Sequence, residues 1–395
     1  MAKLIDITGK ALSGEWGIDD ETGDGIPVLR TTNFTNEGVV NYNDVVTRKI
    51  AKKNINEKYL HKGDIIIEKS GGSDKSPVGR VVYFNGDENT YLFNNFTGVL
   101  RVKDQDIWHP RYVFYSLFAN YKRGGTRTFE NKTTGLHNLK IDNYVSQYEV
   151  SEVDKNVQVS ICEKLDKLFG VIKLRERELQ LLDSLIKARF VEMFGDPVTN
   201  PMGWRETTVG NECFYIKDGP HKSLPDIGKE NGGHPFISVR NIVNGYIDFS
   251  TARYISDEDY ANAIKKCHPE KGDMLYSKGG TTGIAKLIDI DEEFANWVHV
   301  AVLKFDKSKL NGIFFENMLN GDYCFEQSQR LTKGIANRDL VLSAMAQIKM
   351  YCPPMEIQKQ FADFVNQVNK SKVAVQKALD KTQLLFDSLM QKYFG

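Results

Sequence analysis

The sequence predicts an α+β protein in which two mixed, β-rich domains are joined by two long antiparallel coiled-coil helices. Three observations indicate this fold. The two halves of the chain repeat one another, each half ends in a long stretch with a helical apolar seam, and the two stretches end alike. A chain of 395 residues is also long enough for two or three domains. We expect domains at 1–150 and 201–352, each followed by a helical region, at 151–200 and 353–395.

The repeat consists of short matches that occur in one order at an offset of about 200 to 209 residues. Each match alone is weak, but four of them in the same order indicate an internal duplication. The matched pairs are Pro27–Phe34 (PVLRTTNF) with Pro235–Ile242 (PFISVRNI); Lys62–Ile67, followed by Lys69 and Gly71-Gly72, with Lys271–Tyr276, followed by Lys278 and Gly279-Gly280; Thr133–Leu139 with Thr332–Leu340; and Asp183–Ile186 with Asp387–Met390.

The helical stretches carry apolar residues at alternating spacings of three and four, which is typical of a coiled-coil seam. Two such helices, expected at about 153–195 and 355–394, would bury their seams against each other if antiparallel and would act as a spacer between the domains. The alternative is that each helix is one side of an ordinary core. The seam residues are Ile161, Leu165, Leu168, Ile172, Leu179, Leu182 and Ile186 in the first helix, and Val365, Val368, Val375, Leu379, Phe386 and Leu389 in the second, with Arg175, Lys372 and Thr382 as interruptions.

Composition excludes several classes of protein. The five cysteines are scattered without metal-ligand or disulfide spacing, and we find neither a secretory signal nor an apolar run long enough to span a membrane, so we expect a cytoplasmic protein. Net charge is zero, which disfavours a simple basic coat for nucleic acid. Basic residues nevertheless cluster between Arg111 and Lys140, either as a solvated face or as a contact for phosphates.

The motifs of nucleic-acid enzymes are missing. The one Pro-Pro pair, at Cys352–Met355, lacks the polar and aromatic residues of an adenine methyltransferase loop, and neither glycine turn continues as a phosphate-binding loop. The seven histidines, His137 and His299 included, form no metal-binding pattern, and we expect them to be structural or surface residues. We therefore expect a non-catalytic chain that binds no metal or cofactor itself.

The order of these features resembles the specificity subunits of type I restriction-modification systems over essentially the whole chain. The most telling pieces are Ser184–Asp196 (SLIKARFVEMFGD), Lys271–Leu275 with the glycine turn after it, and Pro353–Gln358 at the start of the last helix. The resemblance implies two target recognition domains, each contacting one half of a split, asymmetric site in duplex DNA. It also implies two methyltransferase subunits and motor-nuclease subunits as partners, with S-adenosylmethionine, ATP and Mg bound by those partners.

Candidate DNA-binding residues lie where polar or basic side chains follow predicted strands and glycine turns. Their alternative role is turn chemistry, because Asn and Thr side chains often bond to their own backbone. Arg suits guanine, Asn suits adenine, and Lys suits phosphates. The candidates are Arg30, Thr31, Thr32, Asn33, Lys69, Gly71, Gly72, Ser73, Lys75, Arg123, Arg127, Lys132, Thr133, Thr134, His137 and Asn138 in the first half, and Ser238, Arg240, Asn241, Lys278, Gly279, Gly280, Thr281, Thr282, Lys333, Asn337 and Arg338 in the second.

Two other functions remain open at this stage. The chain could be a structural adaptor whose helices hold two protein-binding domains apart, in which case duplex DNA would not bind. It could also be a free-standing methyltransferase or nuclease, which the missing motifs disfavour. Exposed apolar positions near Phe190, Met193 and Phe194 are a candidate surface for a methyltransferase partner.

Overall fold

The computed structural model describes residues 1–51, 55–133, 136–335 and 337–395. The chain forms two compact units. Unit 1 comprises Met1–Glu176 and Lys377–Gly395, and unit 2 comprises Arg177–Gln376. Each unit therefore contains one globular part and one half of each long helix.

Short strands and helices build the globular part of unit 1, and a long helix follows it. A 310 turn at Thr31–Asn33 follows the fourth strand. The elements are β1 (Ala2–Lys3), α1 (Leu4–Thr8), β2 (Leu12–Ser13), β3 (Ile18–Asp19), β4 (Ile26–Leu29), β5 (Val46–Lys49), β6 (Ile65–Glu68), β7 (Ser70–Gly72), β8 (Val81–Tyr83), β9 (Leu92–Phe93), β10 (Thr97–Leu100), α2 (Pro110–Lys122), β11 (Glu130–Thr133), β12 (Leu136–Leu139), α3 (Ile141–Gln147), β13 (Glu149–Val150) and the long α4 (Lys155–Phe194).

The globular part of unit 2 has a similar order of elements and is followed by the second long helix. A 310 turn at Val239–Asn241 corresponds to the one in unit 1. The elements are β14 (Arg205–Thr208), α5 (Val209–Glu212), β15 (Cys213–Asp218), β16 (His234–Ile237), β17 (Arg253–Ile255), α6 (Asp257–Lys266), β18 (Met274–Ser277), β19 (Ala285–Leu287), β20 (Ala295–Asn296), β21 (Val300–Phe305), α7 (Gly312–Asn320), α8 (Asp322–Leu331), α9 (Leu342–Met345), β22 (Lys349–Cys352) and the long α10 (Met355–Phe394).

The strand orders of three sheets correspond between the two units, which confirms the duplication. A four-stranded sheet has the order β2-β10-β6-β8 in unit 1 and β15-β21-β18-β19 in unit 2. A second sheet, β3-β5-β4-β9, corresponds to β17-β16-β20, and both contain one parallel pair. The ribbon β1-β13 corresponds to β14-β22.

In each globular part, a fully buried central strand lies between two hydrophobic cores. In β6, Ile65 and Ile67 belong to the core that reaches the long helices, whereas Ile66 faces the other core. In β18, Tyr276 and Leu275 are divided in the same way. Because successive side chains of a strand point to opposite faces, a continuous apolar run is what a strand covered on both faces requires.

The repeated Lys-Gly-Asp sequence forms the turn before this central strand. Gly63 and Gly272 have φ of 95° and 87°, which favours glycine. The buried carboxylate of Asp64 accepts a hydrogen bond from the backbone N–H of His61 at 2.8 Å and pairs with a guanidinium nitrogen of Arg101 at 2.7 Å. This motif is therefore part of the framework of the fold.

The two long helices pack against each other within each unit. In unit 1 the first half of α4 and the second half of α10 share a core, where the rings of Phe169 and Phe386 lie 6.4 Å apart. In unit 2 the second half of α4 meets the first half of α10, and the ring of Phe190 lies 5.4 Å from that of Phe361. The beginning of one helix thus pairs with the end of the other, which makes them antiparallel.

The predicted seam lies on the packed faces of these helices. Lys372 interrupts this seam in unit 2 and forms an ion pair between the helices. Its ammonium group lies 2.6 Å from a carboxylate oxygen of Asp183 on the other helix. The seam residues Ile161, Leu165, Ile172, Ile186, Val365, Val368, Val375 and Phe386 are buried, and Leu168, Leu179, Leu182, Leu379 and Leu389 are half-buried.

A buried glutamine near the start of each long helix joins the helix to its globular part. In unit 2, Gln358 accepts a hydrogen bond from the backbone N–H of Asn311 at 2.8 Å, and its amide nitrogen donates to the carbonyls of Pro353 and Lys309 at 2.7 and 3.2 Å. In unit 1, Gln158 makes the corresponding bonds: it accepts from His109 and donates to two carbonyls. These bonds determine where each helix leaves its domain.

We predict that Gln358→Met lowers the free energy of unfolding of unit 2 by about 1–3 kcal/mol, because it leaves buried backbone groups without partners. Urea denaturation of the purified chain measures the loss. Gln360→Met, at an exposed position of the same helix, is the matched control and should change stability little. Equal stability of the two variants would contradict the role of the buried amide.

Candidate nucleic-acid interface

The fold brings two of the predicted clusters together in each unit. We call Lys69–Ser73 and Lys278–Thr282, which follow the central strands, the lysine-glycine turns, and we call Glu130–Leu139 and Lys333–Leu340 the polar hairpins. In unit 1, β7 pairs with β12, so the turn and the hairpin form one small sheet. In unit 2, the backbone N–H of Gly280 donates to the carbonyl of Arg338 at 3.0 Å.

The structure corrects the sequence match between the two turns by one residue. The backbone N–H groups of Ser70 and Gly279 donate to equivalent carbonyls, at 3.3 and 3.2 Å. Gly71 and Gly280 follow, with φ of 134° and 70°. Gly71 therefore corresponds to Gly280 and not to Gly279, because the equivalent of Gly279 is a serine.

The two lysines of the turns have different surroundings, which corrects the expectation for Lys278. Lys278 is only 6% exposed, and its ammonium group lies 2.9 Å from Asp339 and 3.6 Å from Asp218. A charge that two carboxylates already neutralise inside the protein is not available to a phosphate. Lys278 is therefore a structural residue of unit 2.

Lys69 lacks this arrangement. The strand registers place Ser13 and Asn138 where unit 2 has Asp218 and Asp339. Lys69 is half-buried, and burial lowers the pKa of its ammonium group, while Asp142 acts in the opposite direction. Lys69 thus remains a candidate for phosphate contact.

Each 310 turn also contains both buried and exposed residues. The amide of Asn33 accepts from the backbone N–H of Arg30 at 2.9 Å and donates to the carbonyls of Asn41 and Asp44, at 3.0 and 2.9 Å. Asn241 is held in the same way. Since both amides are buried and have partners in the protein, turn chemistry accounts for these two asparagines, and we leave them out of the interface.

Neighbouring residues of these turns differ between the units. Arg30 lies 3.1 Å from the carboxylate of Asp44. Thr32 and Arg240 occupy the same position of the two turns, and both are exposed. The hydroxyl of Ser238 is bonded to Asn241, and Thr31 is half-buried.

In the polar hairpin of unit 1, His137 is buried, and its Nδ1 lies 3.0 Å from the carboxylate of Glu130. This pairing makes His137 a structural residue. Lys132 and Thr133 belong to β11, Asn138 is half-buried in β12, and Thr134 lies outside the described residues. In unit 2, Lys333, Asn337 and Arg338 are exposed.

The basic stretch after α2 approaches the lysine-glycine turn of unit 1. Arg127 donates to the carbonyl of Asp74 at 3.3 Å, and Arg123 is exposed. Arg111, in contrast, pairs with Asp166 at 2.7 Å and lies over aromatic rings, so it belongs to the core. Of the turn residues, Gly71, Ser73, Lys75, Gly280 and Thr281 are exposed, Gly72 is half-buried, and Gly279 and Thr282 are buried.

The exposed apolar positions expected near the end of α4 lie beside the phenylalanines rather than at them. Phe190 and Phe194 are buried in the core of unit 2, where their rings lie 4.8 Å apart, and Met193 is partly buried against that core. The apolar side chains that are exposed on this part of α4 are Leu181, Leu185 and Val191.

Within the described residues, no cluster could hold a metal ion, and no helix is long and apolar enough to cross a membrane. The cysteines carry no sign of nucleophilic chemistry. Burial raises the pKa of the Cys213 thiol to about 12 and that of Cys267 to about 11.

Comparison with known proteins identifies the class. The family model described as type I restriction modification DNA specificity domain matches residues 2–184 and 212–383. The type I restriction enzyme MjaVIII specificity subunit of Methanocaldococcus jannaschii is 21% identical over 304 residues, which cover 70% of this chain and 68% of that protein.

Two solved structures share the fold. The S subunit of the type I restriction-modification system from M. genitalium has a TM-score of 0.60 and 16% identity, covering 100% of this chain and 95% of that one. A chain from a structure concerned with complex assembly and conformational transition of the type I R-M system has a TM-score of 0.55 and 15% identity, covering 100% of this chain and 96% of that one.

The fold and the family match define a protein that supplies DNA specificity. This chain belongs to the specificity subunits of type I restriction-modification systems. It is the non-catalytic, DNA-recognising subunit of such a system and has two target recognition domains. The resemblance seen in the sequence is confirmed.

We predict that Lys278→Met destabilises unit 2 by about 2 kcal/mol, because Asp339 loses its ammonium partner, whereas Asp218 keeps its ion pair with Lys266. The loss should be below the roughly 3–5 kcal/mol of a fully buried pair, since Asp339 is half-exposed. Lys69→Met makes the same change at the equivalent position without the two carboxylates and should cost much less. Equal losses, measured by thermal unfolding, would contradict the difference between the two turns.

Proposed function

We propose that the two target recognition domains bind a split, asymmetric site in duplex DNA, and that the helices set the gap between the half-sites. The proposal rests on one observation. Positions that are equivalent in the two units, and exposed in both, hold different side chains. Thr32 corresponds to Arg240 in the 310 turns, and both side chains are exposed. Because different side chains suit different base edges, the two half-sites would differ in sequence.

The residues proposed for contact belong to or adjoin the lysine-glycine turns, the polar hairpins and the 310 turns. Arg240 and Arg338 would suit guanine, and Asn337 would suit adenine. Phosphate contact is proposed for Lys69, Lys75, Arg123, Arg127, Lys132 and Lys333, with Arg30, Thr31, Thr32, Gly71, Gly72, Ser73, Thr133, Asn138, Gly280 and Thr281 lining the approach. Thr134 is also proposed for DNA contact and lies outside the described residues.

The proposed partners perform the chemistry. Two methyltransferase subunits would bind S-adenosylmethionine and methylate adenines, and motor-nuclease subunits would bind ATP and Mg and cleave unmodified DNA in the cytoplasm. The twofold repetition of domain and helix supports two methyltransferase positions. Similarity to a chain solved in work on type I complex assembly supports the partnership.

Selection from a random duplex library tests this function. The chain is co-expressed with its cognate methyltransferase subunit, and the assembled complex is incubated with the library at physiological salt. A split motif with a constant gap is the expected result. Lack of enrichment by a complex of verified composition would instead favour the protein-binding adaptor.

We predict that deletion of one heptad from each long helix shortens the gap by about three base pairs. Seven residues of helix correspond to about 10 Å, and one base pair to about 3.4 Å along the axis. The same library selection reads out gap and half-sites together. Both half-sites should remain unchanged, and a constant gap in a folded variant would refute the role of the helices as a spacer.

A further inference from the structure

An aromatic ring occupies the same position beside each lysine-glycine turn. The carbonyl of Phe96 accepts hydrogen bonds from the backbone N–H groups of Lys69 and Ser70, at 2.8 and 3.3 Å. The carbonyl of His299 accepts from those of Lys278 and Gly279, at 2.8 and 3.2 Å. Phe96 and His299 are therefore equivalent residues of the repeat, although their sequences do not show it.

The imidazole of His299 is held in place from two directions. It stacks on the indole of Trp297, with ring centroids 4.5 Å apart and 27° between the planes. A Cβ atom at Gly279 would lie 2.7 Å from Cγ of the imidazole, so only glycine leaves room for this ring. A side chain already held in one orientation loses little conformational entropy when it makes a contact.

The ring nitrogens of His299 are available for a ligand. Across the described parts of the chain, no hydrogen bond or ion pair involves them, although the residue is half-buried. The lysine-glycine turn beside His299 contacts the polar hairpin of unit 2, since the backbone N–H of Gly280 donates to the carbonyl of Arg338. The imidazole thus stands next to exposed residues of the proposed interface.

Phe96 stands at the corresponding place in unit 1 with different chemistry. Phe96 is 53% exposed as a residue, although it adjoins the polar Lys69 and Ser70. A phenyl ring at a base edge has one specific partner available, the methyl group of thymine, whereas an imidazole N–H can donate to an acceptor of a purine. The same position would therefore read different bases in the two half-sites.

We propose that the position of Phe96 and His299 is a specificity-determining position, with His299 contacting a purine in one half-site and Phe96 a thymine methyl in the other. This inference rests on the proposed function, since it requires that each unit reads its own half-site. It adds two residues that the sequence did not indicate as DNA contacts. His299 in particular was expected to be a structural or surface histidine.

The test uses the complex with the methyltransferase subunit and the random duplex library. His299→Ala should reduce discrimination at one position of one half-site by roughly 5- to 150-fold, the range expected for a base contact. Phe96→Ala should relax one position of the other half-site. His299→Phe should shift the preference at its position towards thymine.

Phe214→Ala is the matched control, because Phe214 is an exposed phenyl group of unit 2, 76% accessible, on the edge strand β15. It should leave both half-sites unchanged. Thermal unfolding of each variant shows whether the domains remain folded, and His299→Asn, which retains polar hydrogen-bonding groups, provides a second variant if His299→Ala fails to fold.

Two outcomes would overturn the inference while leaving the proposed function intact. Unchanged base preferences in folded His299 and Phe96 variants would exclude a reading role. A loss of affinity that is uniform over all sequences would indicate that the two rings contact the DNA backbone instead of the bases. If the unaltered complex selects no split motif, the proposed function itself fails, so the two failures are distinguishable.

Discussion

The buried amide of a glutamine at the start of each long helix is the constraint on which the arrangement of helix and domain depends. Gln158 and Gln358 each bind one N–H and two carbonyls in places that water does not reach. Because a buried amide without partners is costly, the loop before α2 or α7 and the start of the long helix must keep their relative position. The spacer role proposed for the helices needs such a rigid junction, since a loose one would let the gap between half-sites vary.

The duplication separates structural residues from the residues proposed to read DNA. Positions that are chemically alike in both units are mostly buried and bonded, as Asn33 and Asn241 are in the 310 turns and Asp64 and Asp273 before the central strands. Exposed equivalents differ, for example Thr32 and Arg240. One framework can therefore present two different surfaces, because the packing that maintains it does not involve the side chains that face outward.

Lys69 and Lys278 are an exception that sequence alone would misjudge. They are identical residues after equivalent strands, yet Lys278 is enclosed by two carboxylates and Lys69 is not. The difference arises from residues about 60 positions away in the chain, Asp218 and Asp339 on either side of Lys278. Charge compensation of this kind depends on which strands become neighbours, and no local pattern reports it.

The sequence by itself determined the duplication, the two long helices and their packed faces. The expected helices at 153–195 and 355–394 agree with Lys155–Phe194 and Met355–Phe394, because heptad periodicity and the residues that end a helix are local signals. Only the tertiary structure decided which polar residues are exposed and therefore available to contact DNA. It removed Asn33, Asn241, His137 and Lys278 from the surface, showed that Gly71 corresponds to Gly280, and brought Phe96 and His299 beside the turns. Burial, partners and juxtaposition arise when distant strands pair, so they appear only in the folded chain.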